Sequence, residues 1–105
     1  MNLRLECFLS MKEITLIPVS SSNVAGYLYE PATGMLYVAF WRRDSKPVDL
    51  YIHKSVPGSV ANELDLAHSK GRTFYHRIRN QYESEKVMGV VVRGIDPKLR
   101  KPERR

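Results

Sequence analysis

The chain has almost no cysteine: Cys7 is the only one among 105 residues. A single cysteine excludes an intrachain disulfide, and this fits a reducing compartment. The histidines His53, His68 and His76 are too scattered to give the ligand spacing of a structural zinc site. The sequence therefore predicts no metal and no other cofactor.

Long apolar runs are also missing. Arg4, Glu6, Lys12 and Glu13 interrupt the apolar residues near the N-terminus, which leaves no continuous apolar segment typical of a signal peptide. No other run approaches the length that spans a membrane. We expect a cytoplasmic protein without a membrane partner.

Acidic residues are the third shortage. The chain has 11 acidic and 17 basic residues and a net charge of +6. Residues 1–60 hold six basic and five acidic residues, a net of +1, and residues 61–105 hold eleven and six, a net of +5. This asymmetry favours a polyanionic partner such as nucleic acid, while charge that serves solubility alone remains the alternative.

No catalytic residues are indicated. Ser69 and Lys70 are adjacent, and sequence neighbours at a helix end usually point apart, which a Ser-Lys acyl-transfer pair does not allow. The acidic residues show no paired spacing. The sequence predicts that the protein is not an enzyme.

Three segments alternate as antiparallel strands do, and two turn sequences separate them. The strands are Val24 to Tyr29, Met35 to Arg42 and Val48 to His53, and the loops are 31–34 and 43–47. The segment Lys12 to Val19 is predicted to be a strand or an extended lead-in to the first strand. The segment Val87 to Val92 is predicted to be a further strand. It either closes an edge of the sheet or pairs with the same strand of a second copy to form a homodimer.

Two helices follow the strands. The first, from Pro57 to about Ser69, has an apolar stripe, with Lys70 and Gly71 at its stop. The second, from Thr73 as N-cap to about Glu83, has an apolar and a basic face. The stripe of the first helix is Val56, Val60, Leu64 and Ala67; the apolar face of the second is Phe74, Tyr75, Ile78 and Tyr82; its basic face is Arg72, His76 and Arg79. Predicted core residues are Leu36, Phe40, Leu64, Phe74 and Ile78.

These elements predict an α+β domain: a small antiparallel sheet of three or more strands followed by two short helices, with an extra C-terminal strand. Residues 12–95 form the domain, and 96–105 form a basic, flexible tail. Residues 1–11 are an extension; its first ten residues are either an extra strand or the product of an early start codon.

Several short motifs resemble the KTSC domain, a small module named for the C-terminus of some lysyl-tRNA synthetases and also found as stand-alone bacterial or phage proteins. The motifs are Ser21-Ser22-Asn23-Val24, Tyr29-Glu30-Pro31 with Thr33-Gly34, Phe40, Val56-Pro57, Ser69-Lys70-Gly71, Phe74, Ile78-Arg79 and Tyr82. The family has a central Y-x-Y where this chain has Tyr51-Ile52-His53. The resemblance implies the domain's shape and, as the function usually suggested for the family, RNA binding.

We therefore expect a small binding module for nucleic acid, with RNA favoured over DNA. A helix N-terminus next to basic side chains is a place where a phosphate can bind. The predicted polyanion site is Lys70, Gly71, Arg72, Thr73, His76 and Arg79, and the predicted stacking residues on one sheet face are Tyr37, Trp41, Tyr51 and His53.

Two alternatives stay open. The N-terminal strand or the tail can cover the aromatic sheet face and turn it into a second small core. The same aromatic residues and arginines can also form a protein-protein interface, as in a phage or bacterial accessory or inhibitor protein.

Overall fold

The computed structural model describes residues 13–43 and 47–102. The elements are, in chain order, β1 (Glu13–Thr15), β2 (Ile17–Pro18), β3 (Val24–Glu30), β4 (Met35–Trp41), β5 (Val48–His53), α1 (Gly58–Leu66), α2 (Lys70–Arg77), β6 (Ser84–Val87), β7 (Val91–Arg93) and a 3-10 helix (Pro97–Leu99). This arrangement confirms the predicted α+β class. The alternatives for the first ten residues concern a segment outside the described ranges.

Strands β2 to β6 form one antiparallel sheet in the order of the chain. The turn between β3 and β4 ends at Gly34, whose φ of +74° is a left-handed conformation that glycine adopts without a Cβ penalty. The predicted three-strand meander is confirmed. Short strands β2 and β6 extend it at its two edges.

The register between β4 and β5 decides which side chains share a face. Leu36 of β4 pairs with His53 of β5, so even positions of one strand lie opposite odd positions of the other. Directly opposite residues project to the same side of the sheet. The predicted aromatic face is therefore wrong: Tyr51 and His53 lie on the side that carries the helices, and Tyr37 and Trp41 lie on the other.

The helix side carries the main core. Leu36 and Ile78 are fully buried and Leu64 is 2% exposed. Phe74 is buried in the same cluster, and Phe40 is partly buried against it. Burial of the predicted core residues is thus confirmed for four of them and is partial for Phe40.

The opposite face of the sheet carries a second core. Strands β1 and β7 pair in parallel and pack on this face through apolar residues that include Ile14 and Val92. Tyr37 is 2% exposed there, and Trp41 packs against the cluster. The interpretation in which the N-terminal strand covers these aromatic residues is confirmed for Tyr37 and Trp41, and β7 shares the role.

The start of α2 differs from the prediction. Ser69, with extended backbone, is the N-cap, and its Oγ accepts a hydrogen bond of 3.3 Å from the backbone N–H of Arg72. Thr73 as N-cap is therefore wrong. Because Ser69 satisfies an amide of the first turn, Lys70 and Gly71 are helical rather than part of a linker.

Both helices also end earlier than predicted, α1 at Leu66 and α2 at Arg77. Asn80 has a φ of +62°, so the chain has left the helix well before Glu83. Tyr75, predicted on the apolar face of α2, is 57% exposed. None of the helices in the described ranges has the length and apolar character needed to cross a membrane.

The segment after α2 forms an edge strand that the sequence did not predict, because β6 continues the sheet beside β5. Cross-strand ion pairs explain how charged residues form an edge strand: Lys54 pairs with Glu85 at 3.0 Å and Lys86 with Asp49 at 3.2 Å. Gly89, with a φ of +74°, separates β6 from β7. A homodimer through Val87–Val92 stays a prediction.

The first part of the tail contacts the domain, which differs from the predicted free tail. The guanidinium of Arg100 lies 5.2 Å from the ring centroid of Trp41 and donates a hydrogen bond to the carbonyl of Arg42. The backbone N–H of Lys101 donates to the carbonyl of Ser21 at 3.2 Å. The tail is held because its arginine finds an aromatic ring and a carbonyl acceptor.

Candidate functional site

An open cleft of about 480 Å³ lies beside α2 and the turn that follows it. Most of its rings are on the helix side of the sheet, and Trp41, on the opposite face, borders it at the end of β4. We call it the aromatic cleft, because six of its twelve lining residues carry a flat ring. The lining residues are Asn23, Val24, Phe40, Trp41, Tyr51, His53, Gly71, Phe74, Tyr75, Arg79, Asn80 and Ser84.

Edge-to-face ring contacts build the inner wall of the cleft. Phe74 of α2 lies 5.0 Å from Phe40 and 5.1 Å from His53, measured between ring centroids. Phe40 also contacts Tyr51 at 5.8 Å. These T-shaped pairs fix the orientation of each ring. The register of β4 and β5 therefore gives the cleft a rigid aromatic wall.

His53 is the buried polar member of this wall. Its residue is 5% exposed, and its Nδ1 has no hydrogen-bond partner within the part of the chain that the structure describes. Burial lowers the pKa of His53 below its ordinary value. A hydrogen bond to the Leu36 backbone raises the pKa, but by less than burial lowers it. The imidazole is therefore neutral at pH 7.

Tyr75 and Arg79 form the exposed rim of the cleft. The Arg79 guanidinium carbon lies 5.0 Å from the centroid of the Tyr75 ring. The backbone N–H of Arg79 donates to the carbonyl of Phe74 at 2.9 Å, which ties the turn after α2 to the helix. A guanidinium that stacks through its face keeps its N–H edge free for an anion.

Trp41 and Arg100 bring a second cation to the cleft. Trp41 lines the cleft at the end of β4 and carries the stacked guanidinium of Arg100. The indole Nε1 of Trp41 is buried and has no acceptor among the described residues. The cleft is thus lined by rings and by Arg79, is bordered by Arg100 on Trp41, and contains two ring nitrogens that have no partner among the described residues.

Lys70, predicted to bind a polyanion, has a structural contact instead. Its Nζ donates to three carbonyls at the end of α1, those of Leu64 at 3.2 Å, Asp65 at 2.8 Å and Ala67 at 3.2 Å. A cation at the carbonyl end of a helix is favourable. The predicted cation near the carbonyl end of the first helix is confirmed, whereas the predicted stop at Lys70 and Gly71 is wrong, because α1 ends at Leu66 and both residues belong to α2.

Lys70→Met is therefore expected to lower the free energy of unfolding by about 1 kcal/mol, because the carbonyls of α1 lose a charged donor. Urea denaturation measures this change. Arg72→Met, at an exposed position on the same helix turn, is the matched control and should change stability by less than about 0.5 kcal/mol. Unchanged stability of Lys70→Met combined with weaker nucleic-acid binding would restore the polyanion role of Lys70.

The other predicted polyanion residues do not converge on one spot. Gly71 and Arg79 line the aromatic cleft. Arg72 lines a smaller cleft of about 360 Å³ with Lys101. Exposed His76 packs edge to face on Tyr75 at 5.4 Å, and Thr73 lines neither cleft. The predicted stacking residues are divided as well: Trp41, Tyr51 and His53 line the aromatic cleft, and Tyr37 does not.

The sequence analysis missed Tyr75 as a cleft residue and placed Phe40 and Phe74 only in the core. The spacing of Tyr75 and Arg79, four residues apart, is the signal that was available, since side chains at this spacing meet on one helix face. Asn80 and Ser84 carried no sequence signal, and Asn23 appeared only as part of the motif Ser21-Ser22-Asn23-Val24. No group of three or more metal-ligating side chains comes together within residues 13–43 and 47–102.

Comparison with known proteins identifies the family. The KTSC domain matches residues 20–82, a range that includes every cleft residue except Ser84. The crystal structure of a KTSC domain protein from Yersinia pestis is similar to this chain, with a TM-score of 0.59 and 29% sequence identity, and the match covers 69% of this chain and 94% of that one. No curated protein matches significantly. The chain belongs to the KTSC domain family.

Proposed function

We propose that this protein binds single-stranded RNA and takes an unpaired base into the aromatic cleft. The aromatic cleft is the observation that carries this proposal, because flat rings beside a stacked arginine are what single-strand binders use to hold a base and its phosphate. Unpaired bases of RNA stack on such rings without help from a partner strand. The proposal includes no catalytic step.

The distribution of charge supports the same proposal. None of the described residues that line the aromatic cleft is acidic. Arg79 and Arg100 stack on cleft rings, and Arg72 and Lys101 line the neighbouring cleft. These four cations are divided between the two clefts and their borders, and the whole chain has a net charge of +6. A polyanion is thus attracted to the side on which the rings are open.

We propose RNA rather than DNA as the ligand, and the cytoplasm as the location of the protein. A protein partner that inserts an aromatic or aliphatic side chain into the same cleft is the competing function. The two differ in their response to salt: phosphate contacts weaken steeply as salt rises, whereas an apolar anchor changes little.

Arg79→Gln is expected to weaken binding of a fluorescein-labelled single-stranded RNA and to reduce the slope of log K against log salt by about 0.7, the value for one lost phosphate contact. Fluorescence anisotropy at stepped salt concentrations measures both quantities. The glutamine keeps the length of the side chain and removes its charge.

Arg93→Gln is the matched control. Arg93 lies in β7 on the opposite face of the sheet and pairs with Glu13 at 2.9 Å. Its loss removes the same charge from the protein, so its RNA affinity and salt slope should stay close to those of the wild type. Equal slopes for both variants would show that Arg79 makes no phosphate contact. Absence of RNA binding by the wild type would reject the proposed function and favour the protein partner.

A further inference from the structure

One polar atom in the wall of the aromatic cleft lacks a hydrogen-bond partner in the part of the chain that the structure describes. His53 is 5% exposed, and its Nδ1 has no hydrogen-bond partner among the described residues. A buried nitrogen without a partner is unfavourable, and native proteins keep few of them. The contact of 5.1 Å with the Phe74 ring and a hydrogen bond between the ring and the Leu36 backbone hold the imidazole in place, while Nδ1 stays without a described partner. It is therefore a fixed hydrogen-bonding group beside a cavity.

A second cleft residue has the same property. The Nε1 of Trp41 is buried and has no acceptor among the described residues. An indole N–H can only donate, while a neutral imidazole nitrogen either donates or accepts. A bound molecule that satisfies both residues needs an acceptor for the Trp41 N–H and a second polar group for His53 Nδ1. It also needs a flat shape that packs between the rings of the cleft. An apolar side chain of a protein partner has neither, whereas every nucleobase has both on its edge.

We propose that His53 reads the hydrogen-bonding edge of an unpaired nucleobase held in the aromatic cleft, with the Trp41 N–H as a second contact. This inference rests on the proposed function and adds base selectivity to it. Stacking tolerates every base, because every base has a π-face, and only edge contacts distinguish one base from another. His53 is thus a residue that determines specificity rather than one that supplies most of the affinity.

The test compares labelled single-stranded oligomers of uridine, cytidine and adenosine, each measured against the wild type, His53→Phe and His53→Asn by anisotropy. The wild type should prefer one base by about tenfold, the size of one well-placed hydrogen bond. His53→Phe keeps the ring shape but has no polar atom, so its preference should fall to about twofold or less while binding persists. His53→Asn places an amide near the position of Nδ1 and should retain most of the preference. Thermal unfolding of both variants confirms that they fold.

A second measurement uses the nucleoside monophosphates of the same bases. Nitrogen-15 NMR of the histidine rings should show a shift of the His53 Nδ1 resonance with the preferred nucleotide, and no shift of His68, which lies outside the aromatic cleft. RNA binding with equal affinity for all three bases, or a preference that His53→Phe leaves unchanged, would overturn this inference and leave the proposed function standing. A wild type that binds none of the oligomers would reject both.

Discussion

Leu64→Ala is expected to lower the free energy of unfolding by about 2–5 kcal/mol, the range measured for cavities left in packed cores. Leu64 is 2% exposed and joins α1 to the cluster formed by the sheet and α2. A small domain has a total stability of about 5–15 kcal/mol, so this one change removes a large share of it. Urea denaturation followed by circular dichroism measures the difference.

Leu66→Ala is the matched control on the same helix. Leu66 is 73% exposed, and its truncation removes the same atoms from the surface instead of the core. We expect a change within about 0.5 kcal/mol. Similar losses for both variants would mean that α1 does not pack on the sheet through the stripe that contains Leu64.

This contrast shows which part of the fold the sequence could predict. Val60 and Leu64 recur at the helical period and are buried, whereas Leu66 is off that stripe and exposed. A helix that packs on one side needs a single apolar face, so residue spacing is enough to identify it. The strands were predicted for the same reason, from alternation within each of them.

The faces of the sheet could not be predicted in this way. Alternation shows which residues of one strand share a side, but a shift of one residue in the pairing reverses the side for a whole strand. The grouping of Tyr51 and His53 with Tyr37 failed at this step, because Leu36 pairs with His53. The aromatic cleft depends on that register. The sequence therefore indicated some of its aromatic residues, such as Tyr51 and His53, but not which of them lie side by side.

The residues of the predicted basic site are dispersed for a different reason. The choice of Ser69 over Thr73 as N-cap moved the helix start by several residues, and both residue types are good caps. With Lys70 at the start of α2, its ammonium reaches the carbonyl end of α1. Competition between equally suitable caps is decided by packing, which local sequence does not contain.

Segments outside the family match explain why the cleft is the open aromatic surface. The KTSC match covers residues 20–82, and both β1 and β7 lie outside it. These two strands bury Tyr37 on one face of the sheet, so the ring of Tyr37 is not open for stacking. The helix side keeps its rings accessible because α1 and α2 cover only part of it. The added strands thus leave one side for a ligand.

Tyr75→Ala is expected to weaken single-stranded RNA binding by about 1–3 kcal/mol, the cost of one lost stacking contact, which corresponds to roughly 5–150-fold in affinity. Tyr75 lines the aromatic cleft, is 57% exposed and carries the Arg79 guanidinium at 5.0 Å. Its removal takes away a ring that a base can stack on and the support that orients the arginine. Fluorescence anisotropy at constant low salt measures the loss.

Stability separates this effect from unfolding. Because Tyr75 is mostly exposed, its truncation should change the free energy of unfolding by less than about 1 kcal/mol. Leu66→Ala, which also shortens an exposed apolar side chain but lies outside the cleft, should bind RNA as the wild type does. If Tyr75→Ala binds as tightly as Leu66→Ala, no base stacks at the rim of the cleft, and the RNA must bind elsewhere on the basic surface.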